Sequence, residues 1–206
     1  MDPLALIPPL IFFALNVLTP GPNVLNTISI SLGSGRMAGY GCALACAFGV
    51  TLWATVALIG ASALFIAIPE ARVGLTLVGA TVLLYFAFRY IRRALRPAAD
   101  VDRIEGATPR QAFMQALVVL STNPKAMTTW IALLAIFPVI SRDWMSMVAF
   151  AAGTSAVAGI GHFVYATVFS TRPAIALYRR ATRPVNAAVG IGFTIYAVKL
   201  ILGELG

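Results

Sequence analysis

The stretch Thr19-Pro20-Gly21-Pro22-Asn23 stands near the centre of a run, Pro3 to Gly35, that contains no charged residue. Each proline removes a backbone donor and clashes with the preceding helical turn. The residue before each proline is pushed away from helical angles, and Gly21 adds conformational freedom. The spacing therefore predicts an apolar helix that unwinds over residues 18 to 23, with bare carbonyls on one side of the gap and bare amides on the other. In lipid such groups must face protein or a water-filled cavity, so the break itself builds a binding site from backbone. A second stretch answers it. Between Gln111 and Ser141 the one formal charge is Lys125, within Asn123-Pro124-Lys125. Paired interruptions at corresponding positions of two halves point to the substrate site of a transporter.

Of the 206 residues, 60% are hydrophobic and 11% charged. A soluble domain carries about 25% charged residues, so the chain reads as an all-α integral membrane protein. The net charge of +8 would suggest nucleic acid in a soluble chain. Here the basic residues fall in short loops between apolar runs, where they set orientation and touch lipid headgroups. No nucleic-acid partner is expected. The first run starts at Asp2 rather than a basic region and far exceeds a signal-peptide core, so it is expected to remain as the first membrane segment.

About 20 apolar residues cross a bilayer core. The runs then divide into six transmembrane segments, about 4–32, 38–68, 73–89, 111–140, 144–170 and 185–202. Residues 97–110 form a polar linker and 171–184 a basic loop. The linker separates three segments (repeat 1, about 1–97) from three (repeat 2, about 110–206), within a single transmembrane domain over 1–206. If the halves are structural repeats, an odd number of crossings per half makes them inverted repeats, with the first and fourth helices broken or folded back as re-entrant hairpins. Arg36, the arginines from Arg89 to Arg110, and those from Arg172 to Arg183 fall on one side; Arg72, Arg142 and Lys199 fall on the other. That bias puts the arginine-rich loops in the cytoplasm of a plasma (inner) membrane protein, with both termini outside.

Lys125 lies about 15 residues past Arg110, roughly 22 Å along a helix. An intramembrane lysine is a functional hypothesis by default: its ammonium attracts a substrate carboxylate, or it pairs with the unwound carbonyls and holds the break together. Asn16, Asn23, Asn26 and Asn123 cluster around the breaks. Their amides donate to a carboxylate and accept from an ammonium, which suits a zwitterion, or they cap the broken helix ends. Candidate substrate-binding residues are thus Asn16, Thr19, Pro20, Gly21, Pro22, Asn23, Asn26, Asn123, Pro124 and Lys125. His162, the one histidine, with Tyr165 three residues on, is a candidate proton relay; the alternative is hydrogen-bonded packing. Gly33, Gly35, Gly39, Gly41 and Gly49 are expected to permit close backbone approach, and small-residue faces of this kind permit a homodimer. Cys42 and Cys46 share a helix face as packing residues.

Neither a phosphate-cradling glycine loop nor a zinc-protease motif is present, and the acidic residues Asp2, Glu70, Asp100, Asp102, Glu105, Asp143 and Glu204 lie at ends or in loops. No catalytic residue, metal site or cofactor is expected, and the chain does not read as an enzyme.

Thr19-Pro20-Gly21-Pro22-Asn23, followed by the glycine-spaced run Gly33 to Gly49, together with Asn123-Pro124-Lys125-Ala126, resembles the motifs of the LysE/RhtB family of bacterial amino-acid exporters. The resemblance covers the whole chain. It implies export of amino acids or related small metabolites from the cytoplasm by a secondary transporter working by alternating access and driven by the proton motive force. Its layout is similar to that of membrane cadmium transporters and disulfide-carrying membrane proteins. Asn23, where other members can carry Asp, favours a neutral substrate such as threonine, homoserine or homoserine lactone. The competing readings are a membrane thiol–disulfide electron carrier, which would need Cys42 and Cys46 near the breaks, and a passive channel or scaffold.

Overall fold

The computed structural model describes residues 3–68, 71–97 and 101–205, and every regular element among them is helical. A 3₁₀ turn at Pro3–Leu6 leads into α1 (Ile7–Leu18). After Thr19–Gly21 the chain resumes as α2 (Pro22–Ser34), then α3 (Arg36–Ala67) and α4 (Ala71–Ala94). The chain continues as α5 (Pro109–Ser121), α6 (Pro124–Ile136), a 3₁₀ turn at Pro138–Ser141, α7 (Trp144–Val168) and α8 (Arg172–Leu205). Both breaks fall where proline stops a helix and starts the next one, since a proline at the first helical position loses no hydrogen bond. Pro22 opens α2 and Pro124 opens α6.

Two helices are each long and apolar enough to cross a membrane, α3 over Arg36–Ala61 and α7 over Trp144–Val168, and Leu4–Leu18 with Pro22–Ser34 forms a third such unit bent by 53°. Large apolar side chains also cover the outside: Leu44, Phe48, Leu52 and Val56 on α3, and Phe88 on α4, are exposed. A water-facing surface does not tolerate so much contiguous apolar area, whereas lipid does.

One boundary differs from the sequence expectation. The predicted basic loop 171–184 is helical, because α8 starts at Arg172 and carries Pro184 inside it. The arginines that read as loop there alternate with alanine and leucine, all strong helix formers. Arg183 Nε donates to the Ala94 carbonyl at the end of α4 at 3.0 Å, a cation on a helix C-terminus, and α8 packs along α4. α4 ends at Ala94 with Arg92 and Arg93 in its last turn, where cations suit a helix C-terminus. The predicted turn over Pro69 and Glu70 lies outside the described residues, as do residues 98–100 of the linker.

The core joins both halves. Phe12 of α1 stacks on Phe193 of α8 at 5.1 Å between ring centroids and meets Phe137 edge-on at 5.8 Å. Trp130 of α6 meets Phe150 of α7 at 6.2 Å. Cys42 and Cys46 are free and buried, and Cys42 packs in a cluster with Ile30, Ala38, Ala112 and Ala116.

The linker is pinned rather than loose. Ile104 N donates to the Ser29 carbonyl (3.1 Å), Ser34 Oγ to the Ile104 carbonyl (2.6 Å), and Ala107 N to Ser34 Oγ (3.0 Å). Gly33 makes this possible, since a Cβ there would overlap the Ile104 backbone. Gly35 differs from the close-approach role expected of it: its φ is +87° with open space around it. It is a turn glycine between α2 and α3. Thr108 and Gln111 then form a reciprocal capping box on α5, which supplies partners for two otherwise orphaned donors.

Replacing Gly33 by Ala is predicted to destabilise the protein by about 1–3 kcal/mol through overpacking against backbone. Gly60→Ala, where no neighbour lies within 4 Å, is predicted to be neutral or stabilising. Thermal unfolding of the detergent-solubilised protein compares the two. At the start of α7, the Ser146 N–H and hydroxyl both donate to Asp143 at 2.8 Å and hold its carboxyl below the usual range. That stabilisation is present at neutral pH and lost as pH falls through the depressed pKa. Amide exchange at Ser146 is predicted to accelerate there, and to lose that pH step in Asp143→Asn.

Candidate functional site

Unwinding at Thr19–Gly21 strips the last carbonyls of α1 of their helical partners. Thr19 is extended at φ −72°, ψ 146°, so the chain leaves the helix axis with its oxygens presented to the side. Three long side chains from other helices reach them. Lys125, on the first turn of α6, donates from Nζ to the Thr19 carbonyl at 3.2 Å and lies 3.4 Å from Thr19 Oγ1. Arg93 of α4 donates to the Pro20 carbonyl. Tyr165 of α7 donates to the Leu18 carbonyl at 2.6 Å.

Lys125 therefore joins the two breaks directly. Gly21 is fully extended, a conformation open to any residue, at φ −161°, ψ −178°. Its lack of a side chain serves proximity instead: a Cβ would sit 3.3 Å from Lys125 Nζ and 3.4 Å from its Cδ.

A buried polar network lies beneath. Asn16 is fully buried, and its amide nitrogen donates to Thr129 Oγ1 at 2.9 Å. The Tyr90 hydroxyl donates to Asn16 Oδ1 at 2.9 Å and is 2.7 Å from Thr19 Oγ1. Lys125 Nζ stands over the Tyr90 ring, 5.5 Å from its centroid, a cation–π distance. On the other side Asn123 caps α6, its Oδ1 accepting from Lys125 N at 2.9 Å, while its amide nitrogen donates to Asn23 Oδ1 at 3.2 Å. One asparagine from each break thus pairs with the other across the fold.

These groups surround a cavity that gives the centre of a water-sized sphere about 30 Å³. Thr19, Gly21, Asn23, Asn123, Lys125 and Thr129 form its polar wall; Phe13, Val17, Val24, Val50, Trp53, Leu120, Ala126 and Trp130 form its apolar wall. This volume is room for roughly two waters.

Most of the predicted site residues converge here. Asn16 sits just beneath the cavity in the network, and Pro22 and Pro124 line a neighbouring cavity with Lys125. Asn26 does not join them. It accepts from Gln115 Nε2 at 2.9 Å and lies 4.0 Å from Cys42 Sγ, between α2, α3 and α5. His162 is buried, with Nδ1 2.9 Å from the Ala158 carbonyl. A carbonyl only accepts, so Nδ1 carries the proton, and Nε2 has no described partner. Its ring is 6.3 Å from that of Tyr165.

The sequence reading missed Tyr90, Arg93 and Thr129. Tyr90 stood at the third segment's approximate end, and Arg93 was one of many arginines beside it. The usable signal was that Arg89 and Arg93 sit four apart, on one face of what is a helix.

A helical, lipid-faced chain with a cation-bridged pair of broken helices around a small polar-and-aromatic cavity has the build of a membrane transporter. Over residues 14–204 it matches the LysE type translocator family, and the chain belongs to that family. It is 28% identical to uncharacterized membrane protein PA4757 of Pseudomonas aeruginosa, over 92% of this chain and 91% of that one. It is 26% identical to uncharacterized membrane protein YahN of Escherichia coli, over 92% and 85% of the two chains. An uncharacterized membrane protein of Haemophilus influenzae is 23% identical over 90% of each. No solved structure matches.

Replacing Asn16 by Ala leaves Thr129 and Tyr90 without their buried partner and is predicted to cost about 1–3 kcal/mol. Tyr90→Phe keeps the ring and is predicted to cost less. Thermal unfolding in detergent ranks the two.

Proposed function

We propose that the protein is a secondary transporter, not an enzyme, that exports a neutral amino acid or a related small metabolite from the cytoplasm. The observation that carries this reading is the Lys125 ammonium of one break seated on the Thr19 carbonyl of the other, at the wall of a small cavity. A substrate carboxylate competes for that ammonium. The freed carbonyls and the rings of Trp53 and Trp130 then receive the substrate ammonium, and the apolar wall takes an uncharged side chain. A zwitterion thus replaces a contact that the empty protein makes with itself. The cavity is narrow, and an amino acid entering it is expected to push the two breaks apart, which is the motion alternating access needs.

The order of elements supports six crossings in two inverted repeats forming one transporter unit: α1–α2 corresponds to α5–α6, α3 to α7, and α4 to α8. Under a two-fold relation, α3 would pack on α7 and α4 on α8, and both pairs are in contact; so are α3 with α5 and its counterpart α7 with α1. The arginine-rich ends, Arg36 and the C-terminal turn of α4 among them, face the cytoplasm in this reading, and both termini lie outside the inner membrane.

Proton coupling is assigned to His162 and Tyr165. Tyr165 touches the first break at Leu18, and His162 keeps a free ring nitrogen beside it. The thiol-carrier alternative finds no support in the geometry, because Cys42 and Cys46 line neither cavity at the breaks. A homodimer through small-residue faces remains part of the proposal without bearing on the site.

Cells preloaded with labelled amino acids and expressing the protein are expected to lose one or a few of them faster than control cells, and an uncoupler is expected to stop the loss. Lys125→Ala is expected to reduce that efflux at least tenfold with the protein still in the membrane. Full efflux in Lys125→Ala contradicts the site, and unaccelerated efflux of every amino acid contradicts the substrate class.

A further inference from the structure

A second cavity, about 60 Å³ by the same measure, lies on the other side of Lys125. Phe86, Arg89, Tyr90 and Arg93 of α4 form one wall; Pro22 and Asn123-Pro124-Lys125 form the other. Among the described residues no acidic one lines it. Two helix N-termini open onto it, α2 at Pro22 and α6 at Pro124, and each contributes partial positive charge. Arg93 and Lys125 are committed in part to the carbonyls of the break. Arg89 is exposed, and its described contacts are both with Tyr85, a neutral partner: Nη1 donates to the hydroxyl at 2.9 Å, and the guanidinium carbon lies 5.6 Å from the ring centroid. Most of its five N–H donors remain for a ligand.

We propose that this cavity is an anion-docking subsite that receives the carboxylate of the substrate on Arg89 and Arg93 before Lys125 does. Lys125 and Asn123 line both cavities, so an anion held by the arginines is one step from the ammonium that guards the central cavity. Cations on every charged position exclude a substrate with net positive charge, which narrows the class to zwitterionic or acidic carboxylates. A lipid phosphate offers similar oxygens, but a headgroup carrying two chains does not follow an anion through to Lys125. The identity of the ligand rests on the exporter reading; the anion chemistry of the cavity does not.

Isothermal titration of the full chain in phosphatidylcholine nanodiscs tests this, with sodium acetate, L-threonine and L-threonine methyl ester as probes. Acetate and threonine are expected to bind and the ester not to. Arg89→Gln is expected to weaken both carboxylates about tenfold, a charge-assisted bidentate contact being at stake, and Arg89→Lys to restore part of the loss. No saturable carboxylate binding, or binding indifferent to Arg89, overturns the subsite. Loss of acetate binding when phosphatidylglycerol is added to the nanodiscs assigns the arginines to lipid headgroups and overturns it as well. The two readings fail separately. Arg89-dependent acetate binding by a protein that exports no amino acid keeps the subsite and removes the exporter. Efflux whose KM is unmoved by Arg89→Gln does the reverse.

Discussion

Backbone carbonyls released inside an apolar environment must find donors, and the structure is arranged around that constraint. Prolines at 20 and 22 end α1 and restart α2, which leaves the oxygens of Leu18, Thr19 and Pro20 without their helical amides. An unsatisfied polar group of this kind costs several kcal/mol in lipid. Tyr165, Lys125 and Arg93 meet one oxygen each, and they come from α7, α6 and α4. The break in one element therefore fixes the positions of three others.

This solution is stable but exchangeable. An ammonium on a carbonyl is a charge-assisted hydrogen bond, yet it leaves the charge without a counter-ion, and no acidic residue lines either cavity beside it. A carboxylate from outside the chain offers Lys125 a stronger partner than Thr19 does. Packing at the same point is close: a Cβ at residue 21 would stand 3.3 Å from Lys125 Nζ, and the lysine would have to give way by a few tenths of an ångström. Asn123 and Asn23 hold the two breaks in register meanwhile, through a neutral bond that separates at lower cost than an ion pair would.

Much of this was legible in the sequence, because proline acts locally. Its missing donor and fixed φ mark a helix break wherever it falls in an apolar run, so the two breaks, the asparagines beside them and the lone intramembrane lysine could all be read directly. What escaped depended on tertiary packing. Arg93 and Tyr90 sit in the last turns of α4, and only the packing of that helix beside the first break brings them to Pro20 and Thr19. The stretch 172–183 looks like a basic loop until its helix is seen lying along α4. Asn26 was grouped with the breaks on distance along the chain, but one turn of α2 carries it round to Gln115 of α5. Thr129 gives no signal in the sequence at all; its role exists only because Asn16 packs against it.

The central claim is that the break region opens to each side of the membrane in turn. The most direct measurement is the accessibility of a cysteine at Val17, which lines the central cavity, in a Cys42→Ser/Cys46→Ser background. A membrane-impermeant maleimide is applied from either face of oriented vesicles, with and without a proton gradient. The account predicts labelling from one face at a time, with the reactive face switching as the gradient and substrate are changed. Labelling from both faces under one condition would show an open pore, and labelling from neither under any condition would show a static plug; either result contradicts it.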